Sequence, residues 1–362
     1  MKPLKIMILS IIFSLIAVAL ISCTSAYSVM KKGQEKHRNF DHEGAIIDLT
    51  QAIALYSADN HYVGYTYINR GEARTDMCNF AGAIEDFDRA IAIFGEEDTA
   101  AADAFNGRGV AMKDSGEYAA AIIDFHQAIA LYETDDKKAI AFTNSGIAKH
   151  RMGDFEGAIK NFSIAIELIK DVNIKFPVDY QTDVTDGAGY RYGKTTSQAS
   201  LFPDPVYTYE YRVTIAAKAY NYRGNAKNKL GQKESAIIDY RGAIRAYNEY
   251  DPGDAFAFNM RGYAYFRLGE YDRAAKDFAS AIKNNRNDSY PNMMLGILAI
   301  FNEQFNIAYS EFTGAIQKEI NRKKRISEDE DILDWLSNPD NRDNADDVRN
   351  EINGIITPYK IP

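Results

Sequence analysis

The thirteen residues Ala81–Ile93, AGAIEDFDRAIAI, return in altered form six more times along this 362-residue chain. The other copies are EGAIIDLTQAIAL, AAAIIDFHQAIAL, EGAIKNFSIAIEL, ESAIIDYRGAIRA, DRAAKDFASAIKN and NIAYSEFTGAIQK. Seven glycines keep the register: Gly33, Gly71, Gly109, Gly146, Gly224, Gly262 and Gly296. Their spacings are 38, 38, 37, 78, 38 and 34 residues, the 78 being two periods with no second copy inside. Twelve positions after each glycine stands an alanine: Ala45, Ala83, Ala121, Ala158, Ala236, Ala274 and Ala308. Sixteen after come Leu49, Phe87, Phe125, Phe162, Tyr240, Phe278 and Phe312. Nineteen after is alanine again, Ala52 through Ala315, and twenty after is isoleucine, Ile53 through Ile316. Offsets of 12, 16 and 19 share one helix face. A small–aromatic–small face predicts two antiparallel helices in close approach, with the ring filling the groove between neighbouring pairs. A unit of this length cannot bury its own apolar face, so units at this period must stack.

Gly116, Gly153, Gly231 and Gly269 fall between the two predicted helices, as a helix C-terminus prefers. With them the pattern strongly resembles the tetratricopeptide repeat, over about Tyr27 to Ile320 with one gap. The resemblance implies an all-α fold, a right-handed superhelix (α-solenoid) of about seven helical hairpins. Two features depart from the family. Its usual closing proline is replaced by Ser57, Gly95, Glu133 and Lys170. Most units run 37–38 residues against the family's roughly 34, about one extra helical turn. Such a scaffold holds peptides or protein surfaces in many settings, so it constrains function weakly.

Two positions change together between copies. The residue before the glycine is Arg70, Arg108, Arg223 or Arg261, and fifteen after the glycine those copies carry Asp86, Asp124, Asp239 and Asp277. Where Ser145 replaces the arginine, Asn161 replaces the aspartate. An Arg–Asp pair joining helices of one repeat, or of neighbours, explains this, and its bidentate geometry suits arginine. These arginines therefore belong to the scaffold. The last copy, with Leu295 and Glu311, is the exception and is expected to face a cap.

Residues 1–22 read as a signal peptide: Lys2 and Lys5, then an apolar run from Ile6 to Ile21 broken only by Ser10 and Ser14. The run is short for a membrane span, which needs about 20 apolar residues. Leu20-Ile21-Ser22-Cys23 resembles the lipobox of bacterial lipoproteins. That resemblance implies cleavage before Cys23, diacylglycerol on its sulfur and usually an N-acyl chain such as palmitate. Two or more chains anchor stably where one does not. The alternative is an uncleaved signal anchor. Thr24, not Asp, follows, and under the family's sorting rule this implies the periplasmic side of the outer membrane if the source has two membranes. Cys78 is then the remaining cysteine, so no internal disulfide is expected; it falls at a turn between helices and is expected to pack as a small apolar residue.

The expected organisation is a signal peptide (1–22), a lipidated tether (23–27), repeats 1–4 (28–170), an insertion (171–212), repeats 5–7 (213–320) and a C-terminal cap and tail (321–362). The insertion lacks helical period, carries prolines and glycines, and alternates tyrosines in YTYEY, which reads as extended or hairpin-like. It is either a loop covering an edge or a tyrosine-rich arm that touches a partner. Its GAGYRYGKT is not a phosphate loop, because Ala188 stands where that motif needs glycine. In the cap, Trp335, Leu336, Val348 and Ile352 are expected to cover the last repeat.

The 51 acidic against 42 basic residues argue against nucleic acid as a partner. The five histidines, His37, His42, His61, His126 and His150, show no metal-ligand spacing along a helix, and no nucleophile elbow appears. No catalytic residue, metal or cofactor is expected, and the chain reads as a non-enzyme.

The family places its binding surface on the concave face, lined by the first helix of each pair. Counting from each glycine, this implies Ile140, Thr143, Ile147, His150 and Arg151 in the fourth copy. In the fifth it implies Lys218, Asn221, Asn225, Asn228 and Lys229, and in the sixth Phe256, Asn259, Tyr263, Phe266 and Arg267. The i, i+3, i+7 recurrence puts them on one side of each helix. Asparagine amides can bond an extended peptide backbone, and the cations can meet a carboxylate. The plainer alternative is the exposed polar face of stacked helices. Phe256, Tyr263 and Phe266 are expected to face solvent, where rings have no packing role. Together these features predict a membrane-anchored adaptor lipoprotein of the cell envelope that holds a protein or peptide partner. Alternatives are a ligand-binding or accessory subunit of an envelope transport complex, and a self-associating spacer.

Overall fold

A computed structural model describes residues 26–39, 41–56, 61–169, 209–249, 255–285 and 290–301, with 304, 307–308, 310–311 and 314–315 beyond them. The signal segment with Cys23, most of the insertion and the C-terminal cap lie outside the described residues. Among the described residues every regular element is helical. None of their helices is long and apolar enough to cross a membrane. The chain divides into two compact units, 1–169 and 170–362.

The first unit holds four hairpins. Helix α1 (26–38) pairs with α2 (His42–Leu55), α3 (His61–Asp76) with α4 (Phe80–Phe94), α5 (Ala102–Ser115) with α6 (Tyr118–Leu131), and α7 (Asp135–Arg151) with α8 (Phe155–Leu168). Asp41, Asn79 and Asp154 cap α2, α4 and α8, each accepting the amide of a glycine three residues on. The second unit opens with α9 (Tyr209–Lys229) and α10 (Lys233–Glu249), followed by α11 (Ala255–Arg267) with α12 (Tyr271–Asn284), and then α13 (Tyr290–Phe301). Helix α9 begins at Tyr209, so Tyr209–Arg212, expected to be part of a non-helical insertion, is helix. The alternating tyrosines there are a weak strand signal. Packing of α9 along α10 overrides it.

Within each unit a hairpin packs on the next, and successive first helices also touch: α3 on α5, α5 on α7, α9 on α11, α11 on α13. First helices thus form the tighter, inner side of each stack. The repeated glycine makes the hairpin close. A Cβ at Gly71, Gly109, Gly146 or Gly224 would stand 2.9, 2.7, 2.6 or 2.8 Å from the ring of Phe87, Phe125, Phe162 or Tyr240 in the same repeat. Phe87 is also met from the next hairpin by Gly107, whose Cβ would come within 2.4 Å. The ring thus meets the first helix of its own hairpin, and Phe87 is clasped from the next hairpin as well. The alanines of the pattern, from Ala45 through Ala315, are buried with it. Burying such a ring contributes about 1.5–3 kcal/mol per repeat.

Candidate functional site

The groups that hold the scaffold must be separated from those left over. Arg108 donates from Nε and Nη2 to both oxygens of Asp124, at 2.7 and 2.8 Å. Arg70–Asp86, Arg223–Asp239 and Arg261–Asp277 repeat this fork at 2.7–3.0 Å. Each pair lies within one repeat, and the third guanidinium nitrogen reaches back to the preceding one: Arg70 to Thr50, Arg108 to Asp88, Arg261 to Asn248. The aspartates are buried. In the fourth repeat Asn161 Nδ2 donates to Ser145 Oγ at 2.9 Å, a neutral bond in the place of the ion pair. The first repeat meets buried Asp48 with Lys36 and Lys32 instead. These charges are structural, as the sequence predicted.

On the inner side, several residues expected to face a ligand are spent on the scaffold. Thr143, Ile147 and His150 are buried, and Thr143 Oγ1 donates to the Ala139 carbonyl. Asn221 is buried and donates to the Met260 carbonyl at 2.9 Å, which ties α9 to α11. Asn225 accepts from the Tyr240 hydroxyl at 2.8 Å, and Asn259 is buried. Phe266 corrects the expectation of a solvent-facing ring. It is 6% exposed and packs against Tyr271 and Tyr263 in the core around Phe278. First helices in contact leave little room between them, so polar and aromatic groups at their seam are drawn inward. Tyr263 is half-buried, and the Arg267 guanidinium lies over the Tyr240 ring at 5.8 Å. Phe256 does face solvent, 42% exposed at the start of α11. Ile140, Lys218, Asn228 and Lys229 are partly exposed, and Arg151 is exposed.

The first unit's inner side carries polar bridges that the sequence reading did not single out. Gln34 donates to Asn69, Asn144 to Asn106, and Lys137 pairs with Asp103. At its start His37 Nε2 meets Asp76 Oδ2 at 2.7 Å. That bond raises the His37 pKa; burial opposes it, and the charges of Asp76 and Glu72 add to it. Surrounding protein pushes the Glu72 carboxyl up, with His37 opposing and Asp103 and Asp76 adding. Spacing along one helix misses this group because its members come from two helices, α1 and α3. Counting from the repeat glycines puts His37, Glu72 and Asp76 near the ends of adjacent first helices, but it does not show that they meet.

Residues 255–288 match the tetratricopeptide repeat family model. Among solved structures the chain is similar to a tetratricopeptide repeat protein from Parabacteroides merdae, at 15% identity and a TM-score of 0.50, covering 84% of this chain and 97% of that one. It is similar also to the apo form of RapI (13% identity, TM-score 0.57, 83% and 99% covered). A Rap protein complexed with Competence and Sporulation Factor is similar at 13% identity and a TM-score of 0.57, with 84% and 76% covered. Each unit has the tetratricopeptide-repeat fold. No curated protein sequence matches this chain. Hairpins α3–α4, α7–α8 and α9–α10 keep the glycine, the ring and the alanines of the matched segment, and their first helices, of 16, 17 and 21 residues, exceed the 13 of α11.

Proposed function

We propose that this tetratricopeptide-repeat chain is a lipid-tethered, non-enzymatic adaptor of the cell envelope that holds an extended segment of a partner protein along the inner side of its hairpins. The observation that carries it is Phe256. Among the described residues every other phenylalanine and tyrosine ring is buried or partly buried, and this one stands in water on a first helix. An exposed ring on a first helix offers a peptide side chain an apolar anchor, and partly exposed Asn228, at the far end of the preceding first helix, offers an amide to a backbone that extends that far. The similar Rap structure holds Competence and Sporulation Factor, an occupied example of this fold. The tether rests on the sequence of residues 1–23 alone.

Two measurements test the parts separately. Palmitate labelling should mark the native chain and not Cys23→Ser; an unlabelled native chain removes the tether. Crosslinking in intact cells should recover a partner with the native chain and recover it several-fold less with Phe256→Ser. Equal recovery with both proteins removes the inner-side reading.

A further inference from the structure

Three helices place two imidazoles around one carboxylate at the start of the first unit. His37 stands in the last turn of α1, His42 is the first residue of α2, and Asp76 is the last residue of α3. His37 Nε2 is 2.7 Å from Asp76 Oδ2, and His42 Nδ1 is 3.9 Å from the same oxygen. No two of these three atoms are more than 4.8 Å apart. The imidazoles meet edge to face, with centroids 5.1 Å apart. We infer that His37, His42 and Asp76 form a binding site for a borderline divalent transition metal such as Zn2+.

The chemistry favours that class of ion. Zinc bonds nitrogen and carboxylate oxygen at about 2.0–2.2 Å, which sets tetrahedral ligand atoms about 3.3 Å from one another. The separations here bracket that value, and the mobile member is Asp76, whose side chain is 52% exposed while the histidines are 20% and 24% exposed. Two neutral nitrogens and one oxygen suit Zn2+, Co2+, Ni2+ or Cu2+ and do not suit Ca2+ or Mg2+, which take oxygen shells. Without metal, the ionised carboxylate accepts only, so His37 must supply the proton between them. A metal takes the place of that proton on Nε2: from an imidazolium the proton leaves to water, and from a neutral ring it moves to Nδ1. Asp41, next to His42 in sequence, already caps α2 by accepting from Gly44. Glu72 lies one turn before Asp76 on α3, and water can fill the remaining coordination position. Bound metal would join three helices of two hairpins and staple the end of the stack. This site is independent of the tether and of the partner.

The test uses the untagged full-length chain in mild detergent, stripped with EDTA. Titration with Zn2+ in a calorimeter should show one site per chain, and Co2+ should give the visible absorption of a four- or five-coordinate ion. His37→Ala, His42→Asn and Asp76→Asn should each weaken Zn2+ binding at least about tenfold, with circular dichroism unchanged. Asparagine is well tolerated near a helix start, so His42→Asn keeps the test clear of misfolding. Cys78→Ser and His126→Ala should leave binding as it is. No stoichiometric binding overturns the inference. So does binding that survives all three ligand substitutions, or that is lost with Cys78 or His126.

Discussion

Replacing Arg108 by serine and Asp124 by asparagine, singly and together, tests the logic of the scaffold, because the fourth repeat already carries that combination as Ser145 and Asn161. Asp124 is 4% exposed, and its ion-pair partner is Arg108. Asp86 and Asp239 each have a second cation, Arg74 and Lys227, which makes the third repeat the sharper choice. Arg108→Ser strands a buried carboxylate. Breaking such a pair from one side costs about 3–5 kcal/mol, and the partial exposure of the arginine puts this case near the lower end, about 3. Asp124→Asn leaves a guanidinium that still reaches Asp88 and lies over the Phe105 ring, so the loss is about 2 kcal/mol. The double variant removes both charges and restores a neutral hydrogen bond like that of Asn161 to Ser145. Its cost falls to about 2 kcal/mol, mostly lost arginine packing and the exposed bond to Asp88. The two changes therefore couple by about 3 kcal/mol. Urea denaturation followed by circular dichroism measures all four proteins, with equal m-values as the condition for comparing them. Additivity within about 0.5 kcal/mol would refute the reasoning. It would mean that the joint change between repeats does not reflect a compensated buried charge.

Other expectations follow from single positions. Cys78 has φ 59° where Gly116, Gly153, Gly231 and Gly269 hold the same turn at 96°, 83°, 74° and 76°. Cys78→Gly should stabilise the chain by about 0.5–1 kcal/mol, the left-handed penalty less the extra freedom of an unfolded glycine, read as a higher urea midpoint. Gly146→Ala puts a Cβ 2.6 Å from the fully buried Phe162 ring and should destabilise by about 1–3 kcal/mol. Adding Phe162→Leu should recover part of that loss, and a harmless Gly146→Ala would disprove the close approach. In EDTA, the raised His37 pKa makes its bond to Asp76 a stabiliser that is complete below about pH 6.5, its unfolded value, and lost as pH rises through the folded value. Urea midpoints should therefore fall between pH 6 and pH 8.5 in the native chain, and fall less in Asp76→Asn, which removes the carboxylate from the pair.

Much of the fold is legible because it is local and repeated. Glycine, ring and alanine at fixed offsets specify a close hairpin in any one copy, and seven copies leave no other period to fit. The Arg–Asp pairs were readable for a related reason: the fourth repeat is a compensated variant inside the same chain. The inner-side residues were not readable in this way. Position from the glycine places Phe266 and Phe256 on one helix, but burial depends on what the neighbouring helix brings. Tyr271 and the Phe278 core enclose Phe266, whereas Phe256 remains in water.

The sequence by itself determined the repeat, the helix pairing and the charges that must be neutralised together, because each is set by contacts one or two helices away along the chain. Only the tertiary structure decided which polar groups at the seam of the first helices are consumed, and that His37, His42 and Asp76 converge. Those outcomes depend on the spacing and rotation of helices from different hairpins. A side chain's offset within its own repeat does not encode that geometry.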